Sequence, residues 1–140
     1  MNCIDRARMR VEQAVGLAPL LDASYAAFLM LLPVIEGQQD PASPWFAPFV
    51  MAMSSAASGR FAVLDAPSLP AVADARGVPI PRHLRAGQTA AALIALSQVL
   101  ATRLEAAAIA AEQAADRDAC ARAARHARAL FTSLGGASPP

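Results

Sequence analysis

The sequence predicts an all-α protein, a bundle of four to five helices around a buried central helix. Three observations favour this class. Alanine, the strongest helix former, supplies much of a composition that is 56% hydrophobic. Aromatic residues make up only 5% of the chain, and β-branched residues, which favour strands, are sparse. Apolar residues also recur at steps of three and four in several stretches, which is typical of helices.

The predicted central helix covers about residues 20–36. Its apolar side chains follow helical spacing on one side and fill much of the rest of the surface, with Leu21, Tyr25, Phe28, Leu32 and Ile35 as the main stripe. A helix that is apolar all round must be buried in a protein core or in a membrane. Pro33 predicts a kink or an end near that residue, and Gly37 ends the helix in any case.

Three further helical stretches surround it in this prediction. Residues 2–15 form an amphipathic helix that Asn2 caps, and a third helix runs from Pro44 to Ser58. Residues 88–134 are helical throughout, but an unbroken helix there would be about 70 Å long. Because that length exceeds the width of a compact domain of this size, we expect a break near 113–118.

Prolines interrupt the pattern between the third helix and the long helical stretch. They predict a long Pro-rich extended segment over about 59–86, with Pro67, Pro70, Pro79 and Pro81. We expect a single helical domain over 1–134 and a disordered tail over 135–140.

The charge balance and the cysteines bear on the partners and the cellular location of the protein. The net charge of +1 argues against nucleic-acid binding, which needs a marked basic excess. Arginine without any lysine suggests a bacterial, GC-rich coding sequence. Cys3 and Cys120 are isolated, which is typical of free thiols in a reducing cytosol. Asp22 would be costly inside a membrane span, so we expect a cytoplasmic protein and membrane contact is disfavoured.

No motif for catalysis, a cofactor or a metal stands out. Cys120 and His126 are six residues apart, about 240° around a helix, so they do not share a face. The sequence contains no nucleophile elbow, phosphate loop or dinucleotide fingerprint. We therefore expect no cofactor and no metal, while an enzyme with scattered catalytic residues stays open.

Two groups of residues are candidates for binding. Trp45, Phe46, Phe49 and Met53 are explained mostly by core packing, or alternatively by an apolar pocket or groove. Arg122 and Arg125 lie on the outer side of the last helix. A solvated outer helix face is sufficient to explain these two arginines. The alternative is that they bind an acidic partner or a phosphate.

The function that fits these features best is a non-catalytic helical interaction or assembly module. We expect it to form a homodimer through its C-terminal helices and the segment 61–81, because one small bundle cannot cover all of its apolar surface. Small side chains allow a helix–helix seam, within one chain or between two, at Ala107, Ala111, Ala124 and Ala127. The alternative is a small apolar-ligand-binding protein or an enzyme, with a pocket lined by aromatic and methionine side chains.

Overall fold

A computed structural model describes residues 2–70 and 85–136, and every regular element within those ranges is a helix. The five helices are α1 (Cys3–Gln13), α2 (Leu17–Glu36), α3 (Phe46–Leu64), α4 (Ala86–Ala110) and α5 (Ala114–Ser133). The prediction of an all-α fold is therefore confirmed, with five helices in the part of the chain that the structure describes.

The helices pack as a ring in the order α1, α2, α3, α5, α4, with α4 closing back onto α1. A smaller contact joins α2 to α4 across the ring. The core inside it is fully buried and contains Phe28, Phe49, Leu93, Leu100 and Leu130. The central position predicted for the helix over 20–36 is not confirmed, because the described part of α2 does not contact α5.

Local sequence rules account for both ends of α1 and α2. The Asn2 Oδ1 atom accepts a hydrogen bond from the Asp5 N–H at 2.8 Å, which is the predicted cap. Gly16 adopts a φ of +94° before α2 begins, a conformation that favours glycine. Helix α2 continues through Pro33 to Glu36, and Gly37 caps its end.

Helix α3 is longer than the sequence predicts. It runs from Phe46 to Leu64, so the first part of the predicted extended segment is helical. Turn hydrogen bonds follow over 65–69, α4 begins at Ala86, and residues 71–84 lie outside the described part of the chain. The extended segment over 59–86 is therefore not confirmed. The predicted helix ends at Ser58, whereas the observed helix continues through Gly59, whose backbone lies against the buried Phe28 ring.

The predicted break in the long helical stretch is confirmed, slightly earlier in the chain. Helix α4 ends at Ala110, and the backbone is extended at Ala111 and Gln113 before α5 begins. The Arg117 guanidinium donates hydrogen bonds to the carbonyl oxygens of Ala111 (2.9 Å) and Glu112 (2.6 Å). These bonds satisfy carbonyls that the end of a helix leaves without partners.

Alanine allows α5 to pack closely between α3 and α4. Its inner side is buried and consists mainly of small side chains, namely Ala119, Cys120, Ala123, Ala124 and Ala127. Two residues of the predicted seam, Ala124 and Ala127, therefore lie in contacts within one chain. The other two, Ala107 and Ala111, are half-buried.

The chain after α5 turns back on the helix. The Gly136 N–H donates a hydrogen bond to the Phe131 carbonyl at 2.9 Å, and Gly135 has a φ of +84°. Residues 137–140 of the predicted tail lie outside the described residues.

The first prediction follows from the contact between Gly59 and Phe28. A Cβ atom at position 59 would overlap the Phe28 ring, which is fully buried and has no room to move. We expect Gly59→Ala to lower the free energy of unfolding by about 1–3 kcal/mol, measured by circular dichroism during thermal unfolding. Gly87→Ala is the control, because a Cβ atom there would meet nothing within 4 Å. Equal melting temperatures for the two variants would contradict the packing described.

Candidate functional site

Three helices are long and apolar enough to cross a membrane, judged by length and composition alone: α2, α3 and α4. This finding contradicts the expectation of a cytoplasmic protein. The expectation gave too much weight to Asp22, which lies near the start of α2 and forms an ion pair with Arg10 at 3.6 Å. It also overlooked α3 and α4, whose alanine-rich stretches are apolar on average although they contain single polar residues.

The α2–α3 face is the outer side of these two packed helices. It consists of partly exposed apolar side chains, with Leu29 and Leu32 from α2 and Val50, Met51 and Phe61 from α3. Three of them are unusually exposed, namely Val50 at 44%, Met51 at 63% and Phe61 at 56%. The sequence places no charged residue over 23–35 or 46–59. This side of the bundle is therefore apolar and uncharged along most of its length.

Charged groups lie only at the borders of the α2–α3 face. The Arg10–Asp22 pair marks one border on α2. On α3, the Arg60 guanidinium lies over the Phe61 ring, 4.5 Å from its centroid. The buried Arg60 Nε atom has no hydrogen-bond partner among the described residues. Arginine side chains of this kind place their stems on apolar surface and their charge toward water or headgroups.

The opposite side of the bundle, formed by α4 and α5, is charged and hydrated. Arg128 donates two hydrogen bonds to Glu105, at 2.8 and 3.1 Å. Arg122 forms ion pairs with Asp118 at 2.9 Å and with Asp65 at 3.1 Å. Because these charges are exposed, the bundle has two chemically different sides.

The aromatic and methionine residues predicted as a binding site pack at the start of α3. Phe49 is fully buried, while Trp45, Phe46 and Met53 are half-buried. The Trp45 and Phe49 rings lie 6.2 Å apart between centroids at an angle of 47°, a tilted aromatic contact. This group contributes to the core, and its role as a pocket stays a prediction.

The two predicted arginines differ in their surroundings. Arg122 is bound by two carboxylates, whereas Arg125 is exposed on the same helix. Both side chains lie on the charged side of the bundle. Their docking to an acidic partner or a phosphate stays a prediction.

An open groove of about 380 Å³ lies between the start of α2 and the last turns of α4. Its lining is Gly16, Leu17, Leu20, Arg103, Ala106, Ala107, Ala110 and Ala111. None of the predicted binding residues lines it, although two residues of the predicted seam do. Small side chains make the groove, and Arg103 is the one charged residue among those that line it.

A buried carboxylate joins α5 to the chain that follows α3. Asp116 is 1% exposed and accepts hydrogen bonds from the Ser68 N–H at 3.0 Å and the Ser68 hydroxyl at 2.6 Å. A buried charge needs such partners to remain stable. The contact fixes residues 65–70 against the first turn of α5, which is a structural role.

Burial shifts the pKa values of two titratable groups on α5. Burial first, and then the nearby Asp116 carboxylate, raise the pKa of the Cys120 thiol to about 11. Burial, followed by Arg125 and Arg122, lowers the pKa of His126. Both cysteines are free thiols, and no three potential ligands among His, Cys, Asp and Glu come together for a metal in the described residues.

Compared with known proteins, the chain matches no protein family, no curated protein and no solved structure. Function is therefore argued from the two sides of the bundle and from the groove.

The second prediction follows from the raised pKa of Cys120. The thiolate is the reactive form of cysteine, and at pH 8 a thiol of pKa about 11 is almost entirely protonated. We expect iodoacetamide at pH 8 to modify the folded protein at the partly exposed Cys3 well before Cys120, as read by mass spectrometry of peptides. Unfolding in urea should remove the difference. Equal rates in the folded protein would contradict the burial of Cys120.

Proposed function

We propose that this protein is a membrane-associated, non-catalytic helical assembly module. In this proposal the α2–α3 face is embedded in one side of a lipid bilayer, and copies of the chain self-associate there. The observation that carries the proposal is the exposed, uncharged α2–α3 face on a bundle whose other side is covered with ion pairs. Large exposed apolar surfaces are typical of protein or membrane contact sites.

The arrangement of the helices favours one-sided contact over a full span. Helix α5 packs along both α3 and α4 and turns Arg117, Arg125 and Arg128 outward. If α3 and α4 crossed the bilayer in this packing, those charges would enter the hydrocarbon, at a cost of about 2.5 kcal/mol or more each. Contact through the α2–α3 face alone keeps α5 in water.

The positions of charge fit a bundle that lies on the membrane surface. Amphipathic surfaces of this kind bury their apolar side about 5–10 Å into the boundary between headgroups and acyl chains. Arg60 and the Arg10–Asp22 pair then lie at the edges of the buried area, where headgroups and water can solvate them. Uncharged serines on α3, Ser54 and Ser58, are tolerated at this depth.

A non-catalytic role is supported by the pairing of the charged side chains. Several carboxylates are engaged with arginines, as in Arg8–Glu12 at 3.2 Å and Arg128–Glu105 at 2.8 Å. The thiol of Cys120 is held in its protonated form. These groups stabilise the bundle and leave little capacity for acid–base or nucleophilic chemistry.

Self-association in the membrane is supported by small residues on the outer side of α3. Ser54 is exposed and Ala57 and Ser58 are half-buried, between the larger Val50 and Phe61. Helix interfaces in membranes favour small side chains, because these allow backbones to approach closely. In a symmetric pair of α3 helices that meet at these small residues, Met51 beside them on α3 and the outer side of α2 would stay in contact with lipid.

The third prediction tests membrane contact. The full chain should float with neutral phosphatidylcholine vesicles in a density gradient, with little effect of added salt, because the contact is apolar. The double variant Val50→Asp/Met51→Asp should bind at least about tenfold more weakly, the effect of losing 1.4 kcal/mol.

The matched control is Gln98→Asp/Thr102→Asp, which places two charges on exposed positions of α4. It should float like the unmodified protein. Both double variants should keep their helical circular dichroism, since all four positions are exposed. An unmodified chain that stays at the bottom of the gradient would contradict the proposal.

The fourth prediction tests self-association separately. In a mild detergent, light scattering after size exclusion should give about twice the chain mass of 14.5 kDa. Ser54→Leu should give the monomer mass while vesicle flotation is retained, because the larger side chain separates the helices but remains apolar. Ser54→Ala, which stays small, should remain a dimer. A monomeric unmodified chain would rule out this part of the proposal and leave membrane contact standing.

A further inference from the structure

We infer that the groove between α2 and α4 binds a single-chain anionic amphiphile, with its acyl chain along the alanines and its acidic head at Arg103. This inference goes beyond the proposed function and does not depend on it, because the groove and the α2–α3 face have different residues. It concerns a ligand site that the chain builds from its own side chains.

The shape of the groove follows from glycine and alanine. Gly16, with its positive φ, turns the chain so that Leu17 and Leu20 face the last turns of α4. On α4, the facing residues are Ala106, Ala107, Ala110 and Ala111, whose short side chains leave the space open. The resulting volume of about 380 Å³ lies within the range of small-molecule sites, about 300–1,000 Å³.

Arg103 supplies the one charge in this lining. Its guanidinium donates hydrogen bonds to the carbonyl oxygens of Glu12, at 3.5 Å, and Ala14, which fix it at the end of α1. Arginine has five N–H donors, so others remain for a ligand. No carboxylate of the described residues pairs with Arg103, in contrast to Arg122 and Arg128. Its charge is therefore available for an acidic head, which the planar guanidinium binds with two parallel hydrogen bonds.

The lining of the groove favours an amphiphile over a small polar anion. Apart from Arg103, every lining residue is a glycine, an alanine or a leucine. An acyl chain that lies in the groove would remove this apolar surface from water, which stabilises the bound state. A carboxylate or a phosphate head can bind Arg103, since each offers two acceptor oxygens to the planar fork of the guanidinium.

Binding is tested on the purified full chain with the fluorescent fatty acid cis-parinaric acid, displaced in turn by oleate, octadecyl phosphate and oleyl alcohol. We expect oleate or octadecyl phosphate, whichever head fits, to displace the probe at least about tenfold better than the uncharged alcohol. The acid that displaces the probe at the lower concentration shows whether the site prefers a carboxylate head, as in oleate, or a phosphate head, as in octadecyl phosphate.

Variants separate the two parts of the site. Arg103→Gln should weaken acid binding about tenfold and bring it to the level of the alcohol, while Arg103→Lys, which keeps the charge but not the planar fork, should have an intermediate affinity. Ala107→Leu should fill the groove and abolish displaceable binding. Two controls should bind like the unmodified chain: Ala91→Leu, exposed on the same helix, and Arg125→Gln, an exposed arginine outside the groove.

Several results would overturn the inference. The unmodified chain failing to bind the probe is one, and undiminished binding by Ala107→Leu is another. If Arg103→Gln loses helical circular dichroism, the comparison of oleate with oleyl alcohol on the unmodified chain decides whether the charge matters. Loss of oleate binding in Val50→Asp/Met51→Asp would place the ligand on the α2–α3 face instead, and would overturn the groove.

Discussion

Close approach of helix backbones at alanine and glycine is the constraint on which this bundle depends. Helix α5 fits between α3 and α4 because its inner side presents Ala119, Ala123 and Ala127. Phe28 fits because Gly59 has no side chain. In each case one large group, a ring or a whole helix, occupies the space that small residues leave. Larger side chains at these positions would force the elements apart, and the ring of helices would no longer close around its core.

Local rules in the sequence were sufficient for α1 and α2, whereas the break before α5 was predicted from the length that an unbroken helix would have. Asn2, Gly16 and Gly37 act on their immediate neighbours, so their effect is visible without knowledge of the fold. The end of α3 was predicted wrongly because Gly59 has a partner distant in sequence. In isolation glycine weakens a helix by about 1 kcal/mol, but here the packing of Phe28 offsets that cost. The α4–α5 break begins earlier than expected, at Ala111, where the Arg117 guanidinium donates hydrogen bonds to the carbonyl oxygens of Ala111 and Glu112.

The sites were less predictable than the helices, because they depend on which sides of the helices remain uncovered. The sequence singled out Trp45, Phe49 and Met53 by their size, yet size is also what draws such residues into a core. The groove is lined mostly by alanines and a glycine, which carry no signal until two helices are placed side by side. The expectation of a cytoplasmic protein failed for a related reason. The prediction rested on Asp22 alone. It did not take into account that Asp22 pairs with Arg10 and lies near the start of a helix.

Helix α2 connects the apolar surface to the groove. Its outer side contributes Leu29 and Leu32 to the α2–α3 face, and its first turns contribute Leu17 and Leu20 to the groove. Ion pairs that hold Arg122 and Arg128 lie on the other side of the bundle, away from this helix. Between these two regions α2 carries Asp22, which forms an ion pair with Arg10. In the two proposals, membrane contact and ligand binding therefore use different parts of one helix, which that charged pair separates.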